Sequence, residues 1–189
     1  MRIISGIHKG RRLRAPKNLP VRPTTDMAKE GLFNILSNRY DFKDCTILDL
    51  CSGTGNIAYE FCSRGSKRVY AVDKDRRCIK YIKETKEALN MPIQPLQSEV
   101  ISFVENTHQT YDIIFADPPY EMDFMWFEQL IKHVFDKSLI NSGGICIVEH
   151  SKHTNLSNLD HFDKSKTYGG IVLVFLKKKQ TCKPNSVLS

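Results

Sequence analysis

The stretch TILDLCSGTG, residues 46–55, decides how this chain folds. Its first half is a short run rich in apolar residues, which predicts a buried strand. Gly53 and Gly55 then allow a sharp turn and a close approach of the backbone to a ligand. Apolar residues at helical spacing predict a helix from there to about Arg64. A strand, a glycine-containing loop and a helix in this order are typical of an alternating α/β fold.

The same alternation continues on the C-terminal side of this stretch. Strands separated by helices predict a parallel, doubly wound sheet, which we expect to have seven strands. Gly143-Gly144 predicts a turn, and the last two apolar runs are too close for a helical crossover, which favours a closing antiparallel hairpin. The predicted helices are 75–89, 99–106 and 124–137, and the predicted strands after 46–50 are 68–72, 93–97, 111–116, 145–149 and 168–176.

The positive charge of the chain is concentrated at its N-terminus. Residues 1–40 contain nine basic and two acidic residues. Their net charge of +7 equals that of all 189 residues. A basic segment on a neutral body is typical of a protein that binds a polyanion. Within it, 2–4 and 11–14 predict a short hairpin, and 26–38 predicts an amphipathic helix. We therefore divide the chain into a basic extension (1–40), a main domain (41–177) and a flexible polar tail (178–189).

Several classes of protein are not expected from the composition. With 41% hydrophobic residues the chain has enough apolar side chains to fold as one domain. It has no apolar run of the roughly 18–20 residues that a membrane span needs, and residues 1–10 do not resemble a secretory signal. The six cysteines form no C-x-x-C pair and predict small buried side chains rather than a metal site. We therefore expect a cytoplasmic protein with no metal, which acts as a monomer.

The residues around the first predicted loop indicate a cofactor that contains adenosine. Asp73 ends the second predicted strand, where a carboxylate can accept hydrogen bonds from both hydroxyls of a ribose. The spacing Gly53-x-Gly55-x-x-Ala58 also satisfies the dinucleotide fingerprint, which is weak alone. However, the acidic Asp49 at the start of the loop would repel a pyrophosphate and suits a cationic amino-acid group. A glycine-rich turn without a ligand is the remaining alternative.

A second motif, Asp117-Pro118-Pro119-Tyr120, directly follows the strand 111–116. Consecutive prolines fix the backbone and offer carbonyls without amide N–H groups, so the loop presents hydrogen-bond acceptors. An exocyclic amine of a nucleobase is a poor nucleophile because its lone pair is delocalised into the ring. Acceptors that hold both of its N–H bonds favour the tetrahedral form of the nitrogen. Tyr120 can stack on the base, so the motif predicts chemistry at a nucleobase amine.

These motifs resemble a known family. The loop 49–55, Asp73 and the 117–120 motif, in this order, are similar to the class I S-adenosylmethionine-dependent amino-methyltransferases. Residues 22–26 (Arg-Pro-Thr-Thr-Asp) and the opening residues 1–13 sharpen the match to the bacterial 16S ribosomal RNA guanine-N2 methyltransferases of the RsmD type. The resemblance covers about residues 1–176. It implies a Rossmann-like class I methyltransferase fold and transfer of a methyl group from S-adenosyl-L-methionine to the N2 amine of a guanine.

The resemblance also implies roles for individual residues. The target would be 16S rRNA within a small ribosomal subunit or an assembly intermediate. Three positions depart from the pattern of the relatives: Cys51 replaces an aromatic residue, Lys29 an arginine and Glu99 an aspartate. The implied catalytic residues are Asp117, Pro118, Pro119 and Tyr120. The implied cofactor-binding residues are Asp49, Cys51, Ser52, Gly53, Thr54, Gly55, Asp73, Lys74, Glu99 and Asp117. The implied RNA-binding residues are Arg11, Arg12, Arg14, Lys17, Arg22 and Thr24.

Three other functions are compatible with parts of the pattern. DNA adenine-N6 and cytosine-N4 methyltransferases share the 117–120 motif, but they usually carry a separate recognition domain. Protein-glutamine methyltransferases are also similar, but they normally have Asn in place of Asp117. A nucleic-acid-binding protein that has lost catalysis would not need the intact loop at 49–55 together with Asp73. A measurement of cofactor binding would distinguish this last alternative from a methyltransferase.

Overall fold

Seven strands form one sheet with helices on both faces in the computed structural model, which describes residues 1–16, 19 and 25–178. A 3-10 turn, Phe42–Asp44, precedes the first strand. The helices are α1 (Asp26–Ser37), α2 (Asn56–Ser63), α3 (Arg76–Leu89), α4 (Val100–Asn106) and α5 (Phe124–Asp136). The strands are β1 (Thr46–Leu50), β2 (Arg68–Asp73), β3 (Ile93–Gln97), β4 (Tyr111–Ala116), β5 (Ile140–Ser151), β6 (Phe162–Tyr168) and β7 (Ile171–Leu176).

The order of the strands places a crevice at the centre of the sheet. The order is β3-β2-β1-β4-β5-β7-β6, with β1 to β5 parallel and β7 antiparallel to both of its neighbours. The chain leaves β1 towards β2 on one side and returns to β4 on the other side. Ligands of doubly wound sheets bind at such a switch point, outside the carboxyl ends of the strands. The predicted fold class, with its antiparallel C-terminal strands, is confirmed.

Two layers of apolar side chains bury the sheet. One face is covered by α1, α2 and α3, whose Leu32, Phe61 and Ile82 share one core cluster. The other face is covered by α4 and α5, whose Val104 and Leu130 belong to the second cluster. Every residue of β1 is buried because the strand lies between both layers. No helix in the described ranges is long and apolar enough to cross a membrane.

The turn predicted at Gly143-Gly144 is wrong, because β5 continues through it. The strand starts at Ile140, and its register against β4 shifts between Tyr111 and Ile113. Gly143 has φ +78°, and a Cβ at Gly144 would lie 2.7 Å from the Asp112 carbonyl oxygen. The two glycines therefore form an irregularity inside a strand, where two backbones approach closely.

The sequence analysis did not predict β6. Its residues, FDKSKTY, show no alternation of apolar and polar side chains, because it is the edge strand and is exposed on both faces. The two last apolar runs do pair antiparallel, as β5 with β7. The tight hairpin, however, joins β6 to β7 across Gly169-Gly170, and β7 inserts between β5 and β6.

The N-terminal segment, residues 1–16, packs against α2 through buried polar contacts. The predicted hairpin forms only one bridge, Arg2 to Arg12, because its backbone bonds also go to α2. Both carboxylate oxygens of Glu60 accept bonds from this segment, at 2.8 Å from the Ile4 amide and 3.0 Å from the Ser5 amide. The predicted helix 26–38 is confirmed as α1, and Thr25 caps it by accepting a bond from the Ala28 amide.

Candidate active site

A cleft of about 570 Å³ lies at the carboxyl ends of the central strands. It contains most of the residues that the sequence predicted for the cofactor and for catalysis. Of that set, Gly55 alone does not line it; Gly55 lies at the start of α2. The predicted residues that line the cleft are Asp49, Cys51, Ser52, Gly53, Thr54, Asp73, Lys74, Glu99, Asp117, Pro118, Pro119 and Tyr120. Their individual roles stay predictions.

The loop after β1 has a backbone that only a few residue types adopt readily. Cys51, Gly53 and Gly55 have φ values of +55°, +51° and +81°. At Gly55 a Cβ would lie 2.9 Å from the Tyr59 ring and 3.1 Å from Ile82, so a side chain would disturb the packing of α2. The Ser52 amide donates to the Val72 carbonyl at 3.0 Å, which ties the loop to β2.

Asp73 is held in place by two backbone amides at the end of β2. One carboxylate oxygen accepts from the Gly53 amide at 2.7 Å, and the other accepts from the Asp75 amide at 2.8 Å. Each oxygen has a further lone pair that can accept from a hydroxyl. Beside it, the exposed side chains of Lys74 and Glu99 approach each other to 3.9 Å at the rim of the cleft.

Asp49 is buried at the floor of the cleft. It accepts a bond from the Ala58 amide at 3.0 Å, which connects β1 to the first turn of α2. Burial raises its pKa well above the usual range, and the charges of Asp117 and Asp73 add to this effect. Burial and the same carboxylates also raise the pKa of Cys51 well above its usual value. Cys51 is therefore a thiol at neutral pH, not a thiolate nucleophile.

The 117–120 loop is anchored to the centre of the sheet. The Asp117 amide donates to the Leu50 carbonyl at 3.3 Å, so this loop starts beside the loop after β1. The Pro119 carbonyl accepts from the Met122 amide at 3.2 Å and turns the chain. The Pro118 carbonyl accepts no hydrogen bond within the described part of the chain. Tyr120 is 37% exposed beside these acceptors, so its ring is accessible to a base.

One buried atom of the cleft fits a polar ligand. The hydroxyl of Ser52 is buried and has no hydrogen-bond partner among the residues that the structure describes. A buried hydroxyl without a partner is unfavourable by about 1–3 kcal/mol, which a polar ligand would relieve. Together with the close backbone at Gly53 and the fixed Asp73 carboxylate, this fits the amino-acid and ribose parts of S-adenosylmethionine.

The cleft is strongly acidic, in contrast to the N-terminal segment. Seven carboxylates and a single lysine line it. Such a lining favours cations and N–H donors and disfavours phosphates. The described residues contain no group of three or more His, Cys, Asp and Glu that could hold a metal ion.

The sequence analysis missed several residues that line the cleft. They come from the start of α2, the end of β4 with the segment after it, the first turn of α5, and the end of β5. For Phe115 and Glu149 the signal was their position near the carboxyl end of a predicted strand, but the sequence did not show which side chains point into the cleft. The main ones are Asn56, Ile57, Phe115, Met122, Trp126 and Glu149.

The predicted RNA-binding residues lie outside the cleft or outside the described ranges. Arg11, Arg12 and Arg14 are exposed. Lys17, Arg22 and Thr24 lie in the part of the chain that is not described. Lys29 of α1 connects the N-terminal segment to the start of α2: it is fully buried and donates to the Arg2 carbonyl at 2.6 Å and to Asn56 at 2.8 Å.

Comparisons with known proteins bear on the family and on the fold. The ribosomal RNA small subunit methyltransferase D of Haemophilus influenzae is 29% identical over 178 residues, covering 89% of this chain and 89% of the relative. A hypothetical protein of Thermus thermophilus superposes with a TM-score of 0.82 and 23% identity, covering 94% of this chain and 99% of that chain. The T. thermophilus 16S rRNA N2 G1207 methyltransferase RsmC, solved with AdoMet and guanosine, superposes with a TM-score of 0.68 and 18% identity, covering 85% and 45%.

The family assignment comes from a match over nearly the whole described chain. The model of the family Cons_hypoth95, described as Conserved hypothetical protein 95, matches residues 1–177. The two solved structures, at 23% and 18% identity, show that the fold is shared. The resemblance read from the motifs is confirmed: the chain belongs to the Conserved hypothetical protein 95 family and is an RsmD-like methyltransferase of the class I fold.

Proposed function

We propose that this protein transfers a methyl group from S-adenosyl-L-methionine to the exocyclic N2 amine of a guanine in 16S ribosomal RNA. The observation that carries the proposal is the shared cleft. One half is formed by the loop after β1 and by Asp73, and the other half by the acceptor-rich 117–120 loop. The name of the Haemophilus influenzae relative points to ribosomal RNA as the substrate class.

The half of the cleft that is formed by the loop after β1 and by Asp73 positions the electrophile. When bound, S-adenosylmethionine supplies a methyl group on a positively charged sulfur. The Asp73 carboxylate, already oriented by the Gly53 and Asp75 amides, accepts from the ribose hydroxyls. The backbone at Gly53 allows close approach, and the Ser52 hydroxyl lies where it can bond the amino-acid part. The other carboxylates that line the cleft favour the cationic cofactor over a phosphate-bearing dinucleotide, while the buried Asp49 shapes the floor.

The base half orients the nucleophile. The Asp117 carboxylate and the Pro118 carbonyl accept the two N–H bonds of the amine, which favours the tetrahedral nitrogen and directs its lone pair at the electrophile. Asp117 does not need to be a strong base, because the methylated nitrogen is acidic and releases its proton readily. Tyr120 stacks on the base and contributes about 1–3 kcal/mol.

The basic N-terminal segment supports RNA as the macromolecular substrate. The acidic cleft disfavours phosphates, so the backbone of a nucleic acid must be held elsewhere. Arg11, Arg12 and Arg14 are exposed on a segment that contacts the loop after β1, where the Thr54 hydroxyl donates to the Met1 sulfur at 3.8 Å. The base itself must be extruded or unpaired to reach the 117–120 loop.

A methyl-transfer assay tests the proposal. Labelled cofactor would be offered with three substrates: small ribosomal subunits from cells that lack the endogenous activity, the matching naked 16S RNA, and unmethylated duplex DNA. Recovery of N2-methylguanosine is the expected result, and its distribution between subunits and naked RNA identifies the substrate form. N6-methyladenine or N4-methylcytosine from the DNA would contradict the RNA proposal and support the DNA alternative.

A further inference from the structure

Glu149 lies beside Asp117 on the neighbouring strand of the sheet. Ala116 of β4 and Val148 of β5 are register partners, so the residues that follow them, Asp117 and Glu149, stand next to each other on one face. Neighbouring strands are about 4.8 Å apart. Both residues line the cleft. Glu149 is only 2% exposed and still belongs to β5, which β7 supports on its other side. Its carboxyl group is therefore a rigid part of the cleft floor.

The position next to the target amine distinguishes the nucleobases. In guanine, the N2 amine is flanked by N1–H, which is a hydrogen-bond donor. In adenine and cytosine, the ring nitrogen at the Watson–Crick edge beside the amine is an acceptor. A carboxyl oxygen accepts hydrogen bonds, so it pairs with N1–H of guanine and repels the lone pair of the acceptor nitrogen. A site built for one hydrogen bond discriminates strongly against a base that leaves it unmade.

We propose that Glu149 accepts the N1–H of the target guanine and thereby determines base specificity. The inference rests on the proposed guanine-N2 activity. Asp117 and Pro118 hold the two hydrogens of the amine, and Glu149, one strand away towards the edge formed by β7 and β6, holds the adjacent donor of the same base edge. The described cleft thus has an acceptor for each of the three N–H bonds at this edge.

The test uses 2-aminopurine, which keeps the N2 amine but has an acceptor at N1. Small subunits would be reconstituted with 16S RNA carrying guanine or 2-aminopurine at the methylated position, and kcat/KM would be measured on each. The wild-type protein is expected to favour guanine at least tenfold. Equal rates on both bases would show that N1–H is not recognised and would overturn the proposal without any variant.

The variant Glu149→Gln tests whether Glu149 causes the preference for guanine over 2-aminopurine. The amide can donate to N1 of 2-aminopurine, so we expect the ratio of guanine to 2-aminopurine to fall at least tenfold relative to the wild type. His150→Gln is the matched control, because it changes the next buried polar residue of β5, which does not line the cleft. Its ratio should equal that of the wild type.

A structural role for Glu149 would give a different result. Glu149→Gln would then lower activity on both bases by the same factor and leave the ratio unchanged, which would refute the inference. Glu149→Asp keeps the carboxylate and should retain the preference for guanine even where its rates are lower. Failure of the proposed function is distinguishable, because wild-type protein would then form no N2-methylguanosine at all.

Discussion

Three aspartates at the carboxyl ends of adjacent strands have different environments. Asp73 accepts two backbone amides, and Asp49 accepts one amide in a fully buried position. Asp117 begins a loop whose next residue, Pro118, lines the cleft, and the Pro118 carbonyl accepts no hydrogen bond from the residues that the structure describes. The surroundings of each aspartate thus suit a different role in the proposed function: to hold a ribose, to shape the floor, and to orient an amine.

Separate substitutions of Asp73 and Asp117 should distinguish cofactor binding from methyl transfer. Asp73→Ala should weaken cofactor binding by about 1.5–3 kcal/mol, roughly 10- to 150-fold, because hydrogen bonds to a charged group are lost. Asp117→Ala should leave the cofactor Kd within a few-fold and lower kcat roughly 10²–10³-fold, because the amine loses its orienting acceptor. Calorimetry and single-turnover assays measure the two effects. Loss of cofactor binding in Asp117→Ala would show that this residue is misassigned.

The raised pKa of Asp49 predicts a pH dependence of stability. As pH rises above about 3.9, an aspartate in the unfolded chain loses its proton, while the buried Asp49 keeps it. The folded state then binds more protons, so its stability falls with rising pH until the folded pKa is passed. In Asp49→Asn the side chain at this position does not titrate, so this decrease in stability is absent. The stability of the variant relative to the wild type should therefore increase with pH. Urea unfolding of the ligand-free proteins between pH 4 and neutrality, in steps of about one unit, would measure the difference.

Asp75→Asn is a control of opposite sign. Hydrogen bonds from Arg77 lower the pKa of Asp75 to about 2. Its contribution to stability is present above the unfolded pKa of about 3.9 and is lost as pH falls towards 2. Relative to the wild type, Asp75→Asn should therefore be less stable at about pH 4 and above than at pH 2, so the unfolding series for this variant is extended down to about pH 2. A curve for Asp49→Asn that is parallel to that of the wild type would contradict the buried, protonated Asp49.

At the scale of elements, the N-terminal segment and α2 form one unit beside the cofactor loop. Lys29 of α1 and Glu60 of α2 are a fully buried ion pair with an N–O distance of 3.5 Å. The same Glu60 accepts the amides of Ile4 and Ser5, and the Ile7 amide donates to the Ser63 carbonyl at 2.8 Å. Because Asn56 lines the cleft and is bonded to Lys29, the position of the segment is coupled to the cofactor loop.

Two glycines of this segment provide a matched test of its attachment. Gly6 and Gly10 have nearly the same φ, +82° and +81°, so alanine costs about 1–2 kcal/mol of strain at either position. A Cβ at Gly6 would in addition overlap the Ser63 carbonyl oxygen, whereas a Cβ at Gly10 meets no described atom within 4 Å. Gly6→Ala should therefore detach residues 1–13 from α2, and Gly10→Ala should not.

Hydrogen exchange of the amides of Ile4, Ser5 and Ile7 would measure this detachment. We expect faster exchange in Gly6→Ala than in Gly10→Ala, together with weaker cofactor binding, because Lys29, which bonds Asn56 of the cleft, loses its second acceptor, the Arg2 carbonyl. Equal exchange in both variants would show that the segment is held by contacts other than those to α2.

At the scale of the whole molecule, charge is divided between two neighbouring regions. The cleft is lined by seven carboxylates and one lysine, while residues 1–40 carry all of the net charge of +7. This division suits a substrate whose base enters an acidic cleft while its phosphates stay on a basic surface.

Charge reversal tests the role of the basic segment. Replacing Arg11, Arg12 and Arg14 by Glu should weaken binding to RNA of every sequence and flatten the plot of log K against log salt. Three lost phosphate contacts correspond to a change of slope of about 2 to 3. Reversal of Lys80, Lys83 and Lys132, exposed lysines of α3 and α5, is the control with the same change in charge. An unchanged slope in the first variant would remove the segment from the interface.

Local patterns were sufficient for most of the fold. Strands buried on both faces, such as β1 and β4, are continuous apolar runs, and α1 has both a cap and a periodic apolar face. These signals lie within a few residues of each other, so they are readable without knowledge of the neighbours. β6 was missed and β5 was predicted too short, as 145–149, because an exposed edge strand has no burial pattern and a glycine irregularity inside a strand resembles a turn.

The sequence alone determined the alternating fold and singled out the loop 49–55, Asp73, the 117–120 motif and the basic segment, because each of these is encoded in contiguous or regularly spaced residues. The three-dimensional packing added what depends on residues far apart in the chain. It placed Glu149 beside Asp117, buried Lys29 against Glu60, and joined the N-terminal segment to α2. Strand order and side-chain direction at the ends of strands arise from long-range contacts, for which a single sequence carries no local signal.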